Sequence, residues 1–411
     1  MARDGPPDIA GLSRGGRLSR ATLIGIDARS LTGQATGVGR YVKNLVRHML
    51  ALEPAARFRL YVPVGDAASL GFADVPGQVE VVALRTPVLD NVFVWSHLRL
   101  PAHLARNPVD LLHSPFYTLP AFCPSAAVVT IHDITFELHP EWFTRRARVA
   151  LRGFAASSAR KARHVLTVSE CSRRDIMSAY GLPMGRVTAV PLAPDPVFTP
   201  VADPAVLTAV MKRYDIQGEY LLHLGSITPR RNIARLLEAF ASVRRSRPGL
   251  TLVLAGRVEP PSPPAEVEVQ RKGLTGAVKV IGYARPEDLP ALYSAAAAVV
   301  YPSLYEGFGL PVLEAMACGT PVLASDTSCF PEVAGEAALL VDPLDVRALA
   351  AGMTAILADP DLRQRLCRAG LARSAAFSWQ RTARETLAVY DRALSAAPGT
   401  PGSRSAKEAG A

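Results

Sequence analysis

Long apolar runs are missing from this 411-residue chain: the longest candidate, "SAAAAVVY", falls far short of the roughly 18 residues that a membrane-spanning helix needs. It reads instead as a buried strand with its approach. Paired cysteines are missing too. Cys123, Cys171, Cys318, Cys329 and Cys367 are odd in number and widely spaced, and form neither a C-x-x-C pair nor a zinc pattern with the eight histidines. That excludes a disulfide scaffold and favours a reducing, cytoplasmic setting. The opening "MARDGPPDIAGLSRGGRLSR" carries charge but no apolar h-region, so residues 1–20 are expected to be a flexible tail and not a secretion signal. No short-period repeat is visible.

What remains is an ordinary globular composition, 49% hydrophobic and 20% charged, in a length that favours two domains. The formal charge of +10 calls for an anionic partner: nucleic acid, a membrane surface or a phosphorylated small molecule. The sign alone does not choose among them.

From residue 21 the chain alternates strand and helix. "TLIGID" reads as a buried strand, and after a Gly-rich turn "VGRYVKNLVRHML" puts Val38, Tyr41, Val42, Leu45, Val46, Met49 and Leu50 on one helical face. Further strand-like runs at "FRLYVP", "VEVVAL", "VDLLHS", "AAVVTIHD" and "HVLTVS" imply a parallel sheet wrapped by helices. The Pro-rich, aperiodic "PLAPDPVFTPVADP" then interrupts the rhythm and reads as a linker. Beyond it the alternation restarts, implying a second doubly wound α/β domain. The expected division is a first domain over 21–192, a linker over 193–204, a second domain over 205–395 that includes the closing helix "WQRTARETLAVYDRAL", and a disordered tail over 396–411.

The densest chemistry lies in "YPSLYEGFGLPVLEAMACGTPVLAS". Pro311 suits the first turn of a helix and Gly319 its C-terminal cap, predicting a helix over about 311–318. Glu306 then lies on the loop before it, and Glu314 one turn inside. The backbone N–H groups of Phe308, Gly309 and Leu310 open the helix, where unpaired donors suit phosphate, and Gly307 and Gly309 allow close approach to the main chain. This arrangement fits a sugar nucleotide: diphosphate at the helix end, Glu314 on the ribose hydroxyls, Glu306 facing the group to be transferred. The plain alternative is a helix-capping Glu314 and a solvated Glu306.

"YEGFGLPVLEAMACGTPVLAS" resembles the E-x7-E signature of the retaining GT-B glycosyltransferases of family 4, and the likeness extends from about residue 22 to 391. "YLLHLGSITPRRNIARLLEAF" is similar to that family's phosphate-binding segment, "DARSLTGQATGVGRYVKNL" to its N-terminal glycine loop, and "VVTIHDITF" and "VLTVSECSRRDI" match as well. The resemblance implies a GT-B fold, two Rossmann-like domains facing across a cleft, the first on the acceptor side and the second binding the nucleotide sugar. It places Gly37 and Gly39 in a loop approaching diphosphate or acceptor. Arg230 and Arg231, before a helix begun by Asn232, would hold the diphosphate, and His132 would face the donor sugar, with Asp133 either orienting it or capping the next turn. Where the family commonly has Lys this chain has Arg231, and where many members carry Arg it has Ser226, so the leading arginine of the pair is not assigned.

The same resemblance implies front-face transfer from a GDP- or UDP-linked sugar, with no metal and no other cofactor, onto a glycan or lipid-linked glycan of the cell envelope or an exopolysaccharide. Mannose is the favoured sugar. The aromatics of "FELHPEWF" are candidates for acceptor contact. The basic stretch 145–164, with Arg145, Arg146, Arg148, Arg152, Arg160, Lys161 and Arg163 beside Ala147, Leu151 and Phe154, is a candidate for peripheral contact with an anionic membrane at its cytoplasmic face.

Other readings fare worse. The sole D-x-D, Asp359 to Asp361, precedes "LRQRLCRAG" and reads as a helix start, not a metal site. A phosphorylase or epimerase on the same fold is the nearest rival, but a phosphorylase needs a pyridoxal lysine, and Lys212, Lys272 and Lys279 lie in no convincing site. "GVGRYV" is nearly a dinucleotide fingerprint, yet Val42 stands at its third glycine. The positive residues are scattered along helices, which argues against a nucleic-acid binder.

Overall fold

β-Branched runs bounded by turns become strands here, and each is followed by an amphipathic helix that crosses back over the sheet, so neighbouring strands run parallel. The computed structural model describes residues 22–33, 37–66, 68–85 and 94–395; the two expected tails, and residues 34–36 of the glycine-loop segment, lie outside the described residues.

The first sheet contains β1 (Leu23–Asp27), β2 (Arg57–Val62), β3 (Val79–Ala83), β4 (Leu111–Ser114), β5 (Ala126–Thr130), β6 (His164–Thr167) and β7 (Val187–Ala189), in the order β3-β2-β1-β4-β5-β6-β7. The second contains β8 (Tyr220–Leu224), β9 (Thr251–Ala255), β10 (Val278–Gly282), β11 (Ala298–Tyr301), β12 (Val322–Ser325) and β13 (Leu339–Val341), ordered β10-β9-β8-β11-β12-β13. Every pairing is parallel; Ile26 of β1, for example, lies between Leu60 of β2 and His113 of β4. In both sheets the strand order reverses beside the first strand, between β1 and β4 and between β8 and β11. Crevices at such reversals, beyond the carboxyl ends of the strands, are where open α/β sheets bind ligands.

The helix Gly37–Leu52 covers the first sheet with Tyr41, Val42, Leu45, Val46, Met49 and Leu50 buried, each worth about 1.5–3 kcal/mol when fully removed from water. Gly37 and Gly39 stand in its first turn, so the expectation that they form a loop is corrected: the helix begins earlier, and Gly39 is buried against its neighbours. The helix near the motif spans Leu310–Ala317, one residue earlier than expected at each end. Asp359 caps the helix Pro360–Ala375 by accepting from Leu362 N at 2.9 Å, which is the helix start that its sequence suggests.

The last described helix, Trp379–Ser395, does not close the second domain. It returns to the first sheet: Thr382 Oγ1 donates to Pro191 O at 2.6 Å, Arg163 Nη1 donates to Ala393 O at 2.8 Å, and the Tyr390 hydroxyl pairs with His113 Nδ1 at 2.7 Å. Its buried face, including Trp379, Leu387, Val389 and Tyr390, finds an uncovered side of the first sheet next to the helix Gly37–Leu52. One apolar cluster therefore runs from the first sheet through Leu192, Ala193 and Phe198 of the connecting segment into the second domain.

Candidate active site

Loops from the carboxyl ends of β5, β8 and β11 meet between the domains. The turn after β11 packs so closely on the first domain that a Cβ on Gly307 would lie 2.5 Å from His132 O; only glycine fits. Gly309, at φ +81°, turns the chain into the helix Leu310–Ala317, and there a Cβ would lie 2.8 Å from the Phe330 ring. Phe308, Gly309 and Leu310 thus bring their N–H groups to a helix end, as their sequence positions suggest. Glu306 N donates to Ser328 Oγ at 3.1 Å, which fixes the carboxylate's approach.

Glu306 is 5% exposed and sits on two cations. Arg231 Nη1 bonds Glu306 Oε1 and the Tyr301 hydroxyl and lies 3.5 Å from Ser303 Oγ; its guanidinium also lies over the Tyr301 ring, 5.0 Å from the centroid. Arg230 Nη1 is 3.8 Å from Glu306 Oε2 and 3.4 Å from Asp133 Oδ2 of the first domain. Both arginines occupy a single turn, Pro229–Arg231, before the helix Ile233–Ser246, with Asn232 in the left-handed conformation (φ +60°) as its cap. Arg231 is buried and Arg230 about a quarter exposed, so the second is the more accessible to a ligand.

His132 Nε2 lies 3.0 Å from Pro115 O. A carbonyl only accepts, so Nε2 carries the proton; burial holds the imidazole below its ordinary pKa, which leaves Nδ1 as an acceptor. Asp133 does not orient it. Asp133 Oδ1 instead accepts from Thr135 N at 2.9 Å and Thr135 Oγ1 at 2.7 Å, capping the next turn, while Oδ2 faces Arg230.

Glu314 is 1% exposed, with both oxygens engaged: Oε1 accepts from Arg40 Nη1 at 2.8 Å and Oε2 from the Tyr293 hydroxyl at 3.0 Å. Burial raises its pKa against the lowering effect of Arg40. Sequence reading missed Arg40, Tyr293 and Tyr301. The tyrosines look like core residues in strand and helix, and the only signal for Arg40 is a charge amid the buried run of its helix.

Beside this cluster opens a cavity of about 370 Å³ with two unlike walls. Phe116, Tyr117, Phe136, Trp142 and Phe143 line one side, and Thr228, Arg230 and Glu259 the other. Three of the "FELHPEWF" aromatics are therefore wall residues, and Trp142 is backed by His139, stacked at 3.9 Å. Elsewhere the domains touch directly: Glu332 accepts from Glu170 N at 2.9 Å and Cys171 N at 3.2 Å, and Ser172 Oγ donates to Gly307 O at 3.4 Å. Among the described residues no group of three or more His, Cys, Asp or Glu side chains is arranged to hold a metal ion.

Residues 35–197 match the family described as Glycosyltransferase Family 4, and residues 212–373 the family described as Glycosyl transferases group 1. The O-antigen chain mannosyltransferase B of Escherichia coli is 33% identical over 366 residues, covering 86% of this chain and 96% of that protein. The MMP alpha-(1->4)-mannosyltransferase of Mycolicibacterium hassiacum is 34% identical over 249 residues, 59% of this chain and 58% of that protein. Among solved structures, WaaG, a glycosyltransferase involved in lipopolysaccharide biosynthesis, superposes with a TM-score of 0.70 at 17% identity, covering 89% of this chain and 99% of that one. The sucrose-phosphate synthase of Thermosynechococcus elongatus does so with a TM-score of 0.70 at 22% identity, covering 90% and 98%. With the two-sheet GT-B architecture and the clustered Glu306, Arg230 and Arg231, these likenesses place the chain in glycosyltransferase family 4, the group 1 glycosyl transferases.

Proposed function

We propose that this enzyme transfers a mannosyl group, with retention and without a metal ion, from a GDP- or UDP-linked donor to a growing cell-envelope or exopolysaccharide glycan or its lipid-linked precursor. The observation that carries the reading is the meeting of Arg230, Arg231 and Glu306 beside the helix end at Phe308–Leu310, at the strand-order reversal of the second sheet. The mannosyltransferase relatives support the choice of sugar.

The roles follow from the charges. The donor diphosphate lies against the helix end and Arg230, drawing Arg231 partly away from Glu306. The bond from the sugar's anomeric carbon to the phosphate oxygen breaks, and the acceptor oxygen bonds that carbon on the same face. The acceptor proton passes to the departing diphosphate, whose growing charge the two arginines stabilise. Glu306, buried beside the site, favours positive charge at the sugar ring. His132 Nδ1 accepts from a sugar hydroxyl. The aromatic wall at Trp142 takes the acceptor, since flat rings suit the apolar face of a sugar or lipid.

A thermal-shift series tests the donor: GDP-mannose at about 100-fold over its Kd adds about 2.7 kcal/mol of stability, and a larger shift with UDP-glucose or ADP-glucose would reject the mannosyl reading. Transfer is expected to persist in EDTA within about twofold; loss restored by Mg²⁺ would refute the metal-free part.

In this reading a lipid-linked acceptor brings the enzyme to the cytoplasmic face of a membrane; no helix among the described residues is long and apolar enough to cross one. The apolar residues exposed on the basic helix differ from those read in the sequence. Leu151 packs inward and Phe154 stacks on His97 at 4.7 Å, whereas Val149 is 65% exposed on the same helix, beside exposed Arg145 and Arg146. Across the loop joined to this helix by Lys161 Nζ donating to Ala121 O, Phe122 is exposed too. Binding to anionic but not neutral liposomes, reversed by salt, is expected, at roughly 1 kcal/mol per basic residue. Equal partition onto both would remove membrane contact from the proposal.

A further inference from the structure

The partner of Glu314 belongs to the other domain. Arg40 stands in the first turn of Gly37–Leu52, yet its Nη1 reaches Glu314 Oε1 at 2.8 Å, and its guanidinium lies 5.9 Å from the centre of the Phe198 ring in the connecting segment. The remaining oxygen of Glu314 is held by Tyr293, from the second domain itself. Each oxygen keeps a free lone pair, but the carboxylate is only 1% exposed, so a ribose reaches it only if one of these partners moves aside. Tyr293 is fully buried and moves with Glu314, whereas the Arg40 side chain is 31% exposed and moves with the first domain. Arg40 is the exchangeable partner.

We infer that Arg40 is a placeholder for the ribose of the donor nucleotide: it holds Glu314 until the nucleotide enters and is then exchanged for the ribose hydroxyls. The inference rests on the donor reading above. The ion pair keeps a buried carboxylate satisfied and ties the two domains together; on exchange, two neutral hydroxyls take over and the arginine withdraws with the first domain. Arg40 is a positioning residue, acting on the donor through Glu314. Its occupancy sets the apparent affinity, because a site available only a fraction of the time binds more weakly by that fraction. If Arg40 fills Glu314 about nine-tenths of the time, its removal tightens binding about tenfold.

The test is calorimetric titration of GDP and UDP, and of the 2′,3′-dideoxy form of whichever binds more tightly, into the full-length wild type, Arg40→Gln and Arg40→Lys. Exchange predicts that Arg40→Gln binds the ribose nucleotide about five- to tenfold more tightly while the dideoxy form, which cannot bond Glu314, gains nothing. Arg40→Lys, which keeps the charge with fewer donors, gives a smaller gain with the same ribose dependence, and it carries the test should the glutamine variant not fold. Equal gain for both ligands, or no gain, overturns the exchange. Weaker binding of both ligands by the variants overturns it too, because Arg40 would then contact the phosphates directly. Absence of any nucleotide binding to the wild type would bring down the donor reading with it, an outcome distinct from the other three.

Discussion

The two walls of the cleft are built from different chemistry. The second-domain wall concentrates buried charge: Glu306, Arg231 and Glu314 are each less than 10% exposed, Glu306 paired with Arg231, Arg231 also with Tyr301, and Glu314 with Tyr293 and with Arg40 of the first domain. The first-domain wall is mostly aromatic, lined by Phe116, Tyr117, Phe136, Trp142 and Phe143 with Leu151 and Asp133 among them. Buried charge is costly unless a partner needs it, and a diphosphate with a developing positive sugar is such a partner. An aromatic wall costs little to keep and accommodates many sugar or lipid faces. On the proposed mechanism the difference gives precision to the donor side and adaptability to the acceptor side.

The sharpest way to break this assignment is within the charged wall. Glu306→Gln keeps the shape and removes the charge next to the sugar, so turnover is expected to fall about 100-fold or more with nucleotide affinity changed only a few-fold. Glu314→Gln, one helical turn into the same wall, is expected to weaken nucleotide binding about tenfold with a smaller effect on turnover. Steady-state kinetics together with direct titration separate the two. Wild-type transfer rates in both variants would leave the charged wall without a catalytic role.

This wall was half legible in the sequence. Glu306, Glu314 and the N–H groups of Phe308–Leu310 are local features of one loop and helix, and local spacing shows them. The two parallel sheets were legible for the same reason, since alternation of strand and helix is a local pattern. What pairs with what is not local. Arg40 meets Glu314 across 274 positions, and nothing in the periodicity of its helix points to that carboxylate. The helix Trp379–Ser395 shows an apolar stripe, but a stripe does not say which sheet it covers, and it covers the first. On the basic helix, likewise, Leu151 and Phe154 belong to the inward face and Val149 to the outward one; the charges on both sides hid that phase.

A second test asks what the two domains share beneath their unlike walls. The first sheet buries His113 in β4 and His164 in β6 and the second buries His223 in β8, and burial pushes their pKa values down to about 3, about 4 and about 4. His113 has both ring nitrogens bonded, to Thr130 and Tyr390; His223 pairs Nδ1 with Val300 O, and its Nε2 has no partner among the described residues. In the unfolded chain all three protonate near 6.5, while in the folded protein they stay neutral, so the unfolded state binds more protons below 6.5 and is favoured there. Stability is therefore complete above pH 6.5 and is lost as the pH falls toward the folded values. Between pH 6.5 and pH 5 the loss is about 2 kcal/mol for each histidine. Urea unfolding at pH 7 and pH 5 reads this directly, and equal stability at the two values would show that these rings titrate normally.

The smallest expected effect lies on the aromatic wall, and it decides whether that wall belongs to the acceptor at all. Trp142 faces the cavity with His139 stacked behind it at 3.9 Å, so its ring is held in place without being locked into the core. Phe136 also lines the wall but is only 2% exposed and packs into the core, so truncating it would confound binding with folding. Trp142→Ala is the cleaner probe. An aromatic face stacked on a sugar or lipid contributes about 0.5–1.5 kcal/mol beyond its buried area, so the variant is expected to raise the acceptor KM by up to about tenfold. The charged cluster reaches that cavity only through Arg230 and Asp133, so the donor KM and the nucleotide Kd are expected to stay at wild-type values. A rise in donor KM instead would place the sugar of the donor against the aromatic wall, and the division of labour between the two walls would have to be reversed at that point of the cleft.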